Sequence, residues 1–390
     1  MKNKYAVFMD FDGTITTKDV GYEMFRKFTG GKTQSVVDKY RRGEVNSYTC
    51  LKSECEIWNR VSPSRKEVFE FLDKQSIAEG FDRFIGILRR SNIRHYILSE
   101  GFNFYIDFIL KTNGLSPLDR ITNNAAFIGG NIIPEFPYLE KGCGECSNCK
   151  GFHIRELTDP KNASVFIGDG HSDFHGAGAA DIVFAKSFLK EALEKIGRNY
   201  LEYEDFCDII NAWNTISRRK VFTFSEDLYF CSVVPERHRK IEELWETGEV
   251  MANVGYPGGL GWSKQRYDEF WKSLGNRNFV LLALEDEDGK FLGEAKLSFP
   301  DESNICSHDV KILPEYQGRG FGRKAWRLLL ELSYRRWPGA KMSVTPSLDN
   351  EAAIRLYKSI GFEFDGDQQE WIPSQDSSAA VPVRYRRMIK

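Results

Sequence analysis

Asp10-Phe11-Asp12-Gly13-Thr14 places two carboxylates two residues apart at the end of a short apolar run, Tyr5–Met9. Such a pair can divide phosphoryl chemistry: the first attacks phosphorus, the second protonates the leaving alcohol and later activates water. Clustered carboxylates also suit Mg²⁺, which prefers hard oxygen ligands and keeps several waters. Asp169 and Asp173, in Gly168-Asp169-Gly170-His171-Ser172-Asp173, extend the candidate metal set to Asp10, Asp12, Asp169 and Asp173. Ser99 can donate to a phosphate oxygen, and a lysine can neutralise charge that builds there. Lys141 and Lys150 both precede the Gly-Asp-Gly loop. Lys150 is preferred, because it opens a helix-like stretch, Gly151–Leu157, from whose start its side chain can reach the strand ends. Each piece alone is a common turn or cap; their joint order carries the reading.

Just before that lysine lies Cys143-Gly144-Glu145-Cys146-Ser147-Asn148-Cys149, with His153 four residues further on. The commoner reading is a tight glycine-containing loop whose thiols stay free. The alternative is Zn²⁺ held by Cys143, Cys146, Cys149 and one imidazole, for which His153 is the near candidate. Iron–sulfur spacing is only partly matched, since a fourth cysteine is missing.

A different chemistry sits in residues 305–364. A strand-like run, Ile305–Leu313, leads into Gln317-Gly318-Arg319-Gly320-Phe321-Gly322 and then a helix-like stretch to Arg335. Glycines between a strand and a helix let backbone N–H groups face an anion. The spacing is neither the dinucleotide fingerprint nor a P-loop.

These motifs need elements to hold them. Apolar runs at Tyr5–Met9, Ile93–Leu98 and Ser164–Ile167 each end in a small, polar, acidic loop, which fits an open parallel sheet with ligands at its carboxyl ends. Residues of about 19–90 have helical periodicity. Beyond the basic stretch Ser217–Lys220 the pattern becomes strand-rich, with a hairpin predicted from Phe279–Glu285 and Phe291–Leu297. A boundary near residue 218 divides the 390 residues, in keeping with about 100–200 residues per domain.

Composition bounds the rest. Hydrophobic content of 41% and charged content of 28% exclude wholesale disorder. The net charge of −2 gives no electrostatic reason to expect nucleic acid or anionic lipid as a partner. No apolar stretch reaches the ~18 residues of a membrane span, and none near the N-terminus suits a signal peptide. We therefore expect a cytoplasmic location, with the eight cysteines free or ligating metal.

The first motif set, in its order Asp10/Asp12, Ser99, Lys150, Asp169/Asp173, resembles the four motifs of haloacid dehalogenase-like phosphatases over residues 1 to about 215. The helical segment and the Lys-Gly after a cysteine lean toward the phosphoserine phosphatase and methionine-salvage phosphatase branch. The resemblance implies a Rossmann-like parallel sheet with a helical cap at about 15–90. It further implies Asp10 as nucleophile, Asp12 as general acid/base, and Mg²⁺ held by Asp10, the Asp12 carbonyl and Asp169.

The glycine loop resembles the coenzyme A pyrophosphate loop of GNAT N-acetyltransferases, pattern Gln/Arg-x-x-Gly-x-Gly/Ala, which Gln317, Gly320 and Gly322 match. Asn350 to Glu363, with Tyr357-x-x-x-Gly361-Phe362, is similar to that family's next helix. This implies a mixed α/β acetyltransferase domain over 219–390 using acetyl-CoA. Its candidate coenzyme contacts are Ile312, Leu313, Gln317, Gly318, Arg319, Gly320, Phe321, Gly322 and Asn350. Tyr357 is the implied proton donor to the departing thiolate, and backbone N–H groups near Ile312 and Leu313 the implied thioester binders. Asp309 and Glu294 are base candidates, although water relays can also serve. Tyr256, Pro257, Trp262 and Tyr267 either line an acceptor pocket or pack the helices.

The expected function is a bifunctional enzyme. Its phosphatase half would hydrolyse a small phosphate ester, and its other half would acetylate a small amine. Two alternatives stand beside it: a phosphatase controlled by an acyl-CoA-sensing domain without turnover, and phosphoryl transfer to an alcohol instead of water. Substrate identities and oligomeric state are not legible in the chain.

Overall fold

The computed structural model describes residues 4–115, 117–366, 369–371 and 380–390. The chain divides into two compact units, one up to Ile216 and one from Ser217 onward.

The first unit is built on a seven-stranded sheet of order β4-β3-β2-β1-β5-β6-β7. Its strands are β1 (Tyr5–Met9), β2 (Arg94–Phe102), β3 (Arg120–Ile128), β4 (Asn131–Glu135), β5 (Ala163–Gly168), β6 (Ile182–Ala185) and β7 (Leu201–Glu202). All neighbours are parallel except β3 and β4, an antiparallel hairpin that the sequence reading did not include. β1 is buried along its whole length, the near-continuous apolar run expected of a strand covered on both faces. Its central place, between β2 and β5, brings the loops after β1, β2 and β5 to one edge.

Helices α1 (Val20–Phe28), α2 (Gln34–Arg41), α3 (Ser47–Val61) and α4 (Arg65–Leu72) follow β1. Asp19 and Asn46 start α1 and α3 by accepting backbone N–H bonds from Tyr22 and Thr49. The β3–β4 turn is tied to α3: Trp58 Nε1 donates to Gly130 O at 2.8 Å, and Asn59 bonds both backbone groups of Ile132 at 2.8 Å. The helix α5 (Phe81–Arg90), although within the stretch expected as cap, packs elsewhere. Its Phe81 and Phe84 meet Phe206 and Trp213 of a later helix, α10 (Phe206–Arg219), in edge-on and tilted contacts. The intervening helices are α6 (Asn103–Thr112), α7 (Lys150–Leu157), α8 (Phe174–Ala179) and α9 (Ser187–Lys195).

The second unit carries β8 (Val221–Phe224), β9 (Tyr229–Ser232), β10 (Phe279–Glu285), β11 (Phe291–Ser298), β12 (Ile305–Ser307), β13 (Asp309–Ile312), β14 (Lys341–Val344), β15 (Glu363–Phe364), β16 (Gln369–Trp371), β17 (Val383–Tyr385) and β18 (Met388–Ile389). Its helices are α11 (Pro235–Trp245), α12 (Gly248–Met251), α13 (Lys264–Ser273), α14 (Phe321–Arg336) and α15 (Glu351–Ser359). The expected hairpin is β10–β11, paired antiparallel.

The expected single strand Ile305–Leu313 is instead two. β12 pairs in parallel with β14 in one sheet, and β13 pairs antiparallel with β11 in another. His308 sits between them, buried, and both its ring nitrogens are held: Nδ1 accepts from Ser298 N at 3.2 Å and Nε2 meets Ser333 Oγ at 2.8 Å. Burial lowers its pKa to about 3, so the ring is neutral and acts as a wedge. The sheets part there and leave a cleft.

Candidate active sites

In the first unit the loop after β1 turns sharply at Gly13, whose φ is +82°; a Cβ there would lie 2.5 Å from Asp169 Oδ2. Only glycine lets the β1 loop approach the β5 loop this closely. Thr14 Oγ1 then donates to Asp169 Oδ1 at 2.6 Å. Asp10, Asp169 and Asp173 offer carboxylate oxygens within 4.8 Å of one another.

Lys150 is fully buried at the start of α7 and joins this cluster. Its ammonium donates to Asp10 Oδ1 at 2.5 Å, to Ser172 Oγ at 3.1 Å and to Asp173 Oδ1. Burial opposes the charge on Lys150, but Asp10 and Asp173 outweigh it and raise its pKa. Lys141, the other candidate, is exposed. Asp173 is a bracing group: its Oδ2 accepts the N–H bonds of Asp169 and Gly170, both at 2.8 Å.

The Asp12 carboxylate points away from the three-carboxylate cluster. It accepts from Tyr105 Oη at 2.5 Å and from Gly21 N at 3.0 Å. Burial, then Asp19, pushes its pKa up to about 7, so it carries a proton near neutral pH. Asp10 is raised well above the usual range by burial and then by Asp173, and Asp169 is raised to about 7 by the same causes. Three carboxylates crowd around one ammonium, a donor set of hard oxygens short of positive charge, which fits a divalent cation such as Mg²⁺. Ser99 lies within β2, which runs four residues past the predicted strand end; its Oγ accepts Gly101 N–H at 2.9 Å.

These groups open into a cavity of about 480 Å³ beneath α1, α2 and α3. Phe25, Val37, Leu51 and Phe188 supply apolar wall, and Asp19, Arg41, Glu54 and Glu100 polar wall. Glu54 is buried on α3, with Oε1 lacking a partner among the described residues, and burial, then Asp19, raises its pKa to about 8. Sequence reasoning missed Thr14, Tyr105, Glu54, Glu100 and Arg41. Thr14 and Glu100 adjoin motif residues, whereas Tyr105, Glu54 and Arg41 sit on helix faces that carry no local signal.

The three cysteines of the loop before Lys150 are gathered, but their imidazole neighbour is His175, on α8. His153 is turned away: its Nε2 lies 2.6 Å from Asn148 Oδ1. All eight cysteines of the chain are free thiols.

In the second unit the cleft at the strand split holds about 600 Å³ and is lined by His308, Asp309, Ser343, Thr345 and Tyr357, among others. Tyr357 packs edge-on against Trp326 at 5.1 Å, and burial, then Asp309, raises its pKa, so it keeps its proton. The loop Gln317–Gly320 is exposed, with Gly318 and Gly320 at φ of +71° and +86° and open space above each. Gln317 Nε2 pins the loop to Ile312 O at 3.0 Å. Gly320 leads into the 16-residue α14, whose first residues are Phe321 and Gly322. Successive backbone N–H groups at a helix start form an anion seat, with Arg319 beside it.

One expectation is corrected here. Leu313 N–H donates to Leu292 O at 2.9 Å, so it is not free for a thioester carbonyl. By the alternation of an antiparallel pair, the N–H groups of Ile312 and Val310 face away from β11, toward the split. Asn350 is occupied as well, its Oδ1 accepting Ala353 N–H at 3.0 Å as the cap of α15.

The two base candidates sit in different settings. Burial opposes the charge of Asp309, but Lys311 and Lys296 outweigh it and hold its pKa below the usual range. Glu294 is buried behind the cleft wall, its Oε1 accepting from Trp245 Nε1 at 2.8 Å and Lys311 Nζ at 3.2 Å. Tyr267 and its neighbours Tyr256 and Trp262 belong to the apolar cluster under β10 and β11, the packing reading of these aromatics.

Comparison with known proteins follows this division. Residues 7–177 match the family model for haloacid dehalogenase-like hydrolases, and residues 242–362 match that of the acetyltransferase (GNAT) family. The 2-hydroxy-3-keto-5-methylthiopentenyl-1-phosphate phosphatase of Bacillus pumilus (strain SAFR-032) is 30% identical over 225 residues, covering 56% of this chain and 94% of the relative. Its counterpart in Bacillus cereus (strain G9842) is 31% identical over 214 residues, covering 53% and 94%. Among solved structures, spermidine N-acetyltransferase from Vibrio cholerae, in complex with CoA and spermine, covers 43% of this chain and 96% of its own, at 19% identity and a TM-score of 0.36. The chain belongs to the haloacid dehalogenase-like hydrolase family and carries a second domain of the acetyltransferase (GNAT) family, an enzyme that joins a phosphatase to an N-acetyltransferase.

Proposed function

We propose that the first unit hydrolyses a small phosphate monoester through a covalent intermediate on Asp10, and that the second acetylates an amine from acetyl-CoA. The observation that carries the first half is the division of labour between its two carboxylates. Asp10 faces Lys150 at 2.5 Å, whereas Asp12, raised to about 7, is held apart by Tyr105.

An Asp10 oxygen attacks phosphorus as the phosphorus–alkoxide bond breaks, and Asp12 gives its proton to the leaving oxygen. Asp12 then takes a proton from water, whose oxygen attacks phosphorus, freeing phosphate and restoring the Asp10 carboxylate. Lys150 and Ser99 face the phosphoryl oxygens. Mg²⁺, held by Asp10, Asp169 and the Asp12 carbonyl with Asp173 bracing them, would offset phosphoryl charge.

The mixed cavity wall suits a substrate with an apolar tail and hydroxyl or keto groups. The substrate named for the Bacillus relatives, 2-hydroxy-3-keto-5-methylthiopentenyl-1-phosphate, is the first to try. A screen of phosphate release over phosphomonoesters tests the reading, and no release from any of them with Mg²⁺ present would overturn it. The free thiols suit the cytoplasmic location assumed here.

Tyr105→Phe is expected to lower turnover about tenfold and to move the pH–rate profile to higher pH. The sign follows from the Tyr105 hydrogen bond, which holds the Asp12 pKa down against burial. An unchanged profile would leave Tyr105 as packing only.

In the second unit, Ile312 N–H would hold the thioester carbonyl, the 317–322 loop the pyrophosphate, and Tyr357 would protonate the departing thiolate. Asp309, already ionised, makes a poor base, and a water relay fits better. Tyr357→Phe should cut acetyl transfer by about 10²-fold with coenzyme affinity unchanged in a binding titration. A weakened affinity with normal turnover would assign Tyr357 to binding instead.

A further inference from the structure

We propose that Cys143, Cys146, Cys149 and His175 bind one Zn²⁺ ion, and that this site clamps the Lys150-bearing loop to the helix that follows Asp173. The four ligand atoms lie within 4.8 Å of one another, with Cys146 Sγ 3.1 Å from His175 Nδ1. Zinc bonds of about 2.3 Å to sulfur and 2.0–2.1 Å to nitrogen require tetrahedral edges of about 3.5–3.8 Å, which small side-chain rotations reach from here.

The loop is already folded as a sulfur cradle. Cys143 Sγ accepts the backbone N–H bonds of Glu145 at 3.4 Å and Cys146 at 3.3 Å. Three ligands from one short loop strain a tetrahedron, but the fourth comes from α8, a separate segment, and relieves that objection. With four protein ligands the site is closed, the mark of a structural ion rather than a catalytic one.

Its place in the chain gives it a task. Cys149 immediately precedes Lys150, and His175 stands two residues beyond Asp173, the carboxylate that Lys150 grips. The backbones of α7 and α8 meet at this point: a Cβ on Gly151 would lie 2.5 Å from His175 O. An ion here fixes the separation of two elements whose side chains must hold one hydrogen bond. The ion's presence stands independently of the phosphatase reading; only the bracing role rests on it.

The test is metal content and coordination in the full chain, purified without chelator, incubated with Zn²⁺ under reductant and then desalted. We expect one retained zinc per chain. Co²⁺ in its place should show thiolate charge-transfer and tetrahedral visible bands. His175→Ala and Cys146→Ser should weaken retention by 100-fold or more, and His153→Ala should not. Failure of the reduced wild-type chain to retain stoichiometric zinc would overturn the site, whether or not the variants fold. Full retention with an unaltered Co²⁺ spectrum in His175→Ala would also overturn it. Because none of these readouts uses phosphatase activity, a negative result cannot be confused with a wrong substrate.

Discussion

Asp10→Asn is expected to abolish phosphate-ester hydrolysis, by on the order of 10⁴-fold or more, while acetyl transfer by the second unit stays at the wild-type rate. The substitution keeps the shape of the side chain and its oxygen toward Lys150, but the amide cannot attack phosphorus. Loss of both activities would indicate coupling of the two halves or misfolding.

The variant also carries a stability signature. Asp12 and Asp169 are raised from 3.8 to about 7, and Asp10 well above the usual range, mainly by burial. In the metal-free fold Asp12 and Asp169 keep protons that the unfolded chain has released. Their contribution is therefore fully present below about pH 4 and is lost as pH rises through about 7. Mg²⁺ binding to the ionised carboxylates reverses that trend, so the Mg²⁺-induced rise in Tm should be larger at pH 7.5 than at pH 5. Asp10→Asn should show a smaller rise at both. Equal Mg²⁺ responses in wild type and variant would exclude Asp10 from the metal set.

Lys150→Met is the second large effect, and it strikes fold and rate together. Asp10 and Asp173, 5% and 0% exposed, would lose their common cation. Removing one partner of a buried ion pair costs about 3–5 kcal/mol, because the remaining charge is left without compensation. Removing a donor aimed at developing charge costs a further ~10²–10³-fold in rate. Denaturant unfolding and turnover at saturating substrate measure the two separately. Lys141→Met is the control: its side chain is exposed, and both readouts should stay at wild-type values. A Lys150→Met chain with full turnover would remove the lysine from the proposed chemistry.

The difference between these two lysines was only partly legible beforehand. Both precede the Gly-Asp-Gly loop, and the choice of Lys150 rested on its place at a helix start. Its burial between two carboxylates follows from the stacking of α7 on α8, a contact between segments more than twenty residues apart. The same holds for the fourth ligand of the cysteine cluster. His153 was the near neighbour in the chain, yet α8 brings His175 to the thiols because the helix turns His153 toward Asn148.

The strand around His308 makes a related point in the second unit. The run Ile305–Leu313 reads as one strand in the sequence, since no glycine or proline interrupts it. The split depends on which partner each half finds, β14 for one and β11 for the other, and on a neutral histidine whose nitrogens are both engaged. The same pairing engages Leu313 N–H with Leu292 O and turns Ile312 N–H away from β11.

By itself, then, the amino-acid sequence determined the two families of chemistry, since Asp10-x-Asp12, Gly168-Asp169-Gly170 and Gln317–Gly322 are short motifs whose backbone context travels with them. It also determined the parallel sheet behind the first site, because buried strands must be apolar along their whole length. Tertiary structure alone decided the partners of those motifs: Tyr105 on Asp12, Glu54 in the cavity wall, His175 beside the cysteines, and the cleft at His308. A motif's own geometry is set by local backbone, whereas burial, pKa and ligand sets come from segments brought together only when the chain is packed.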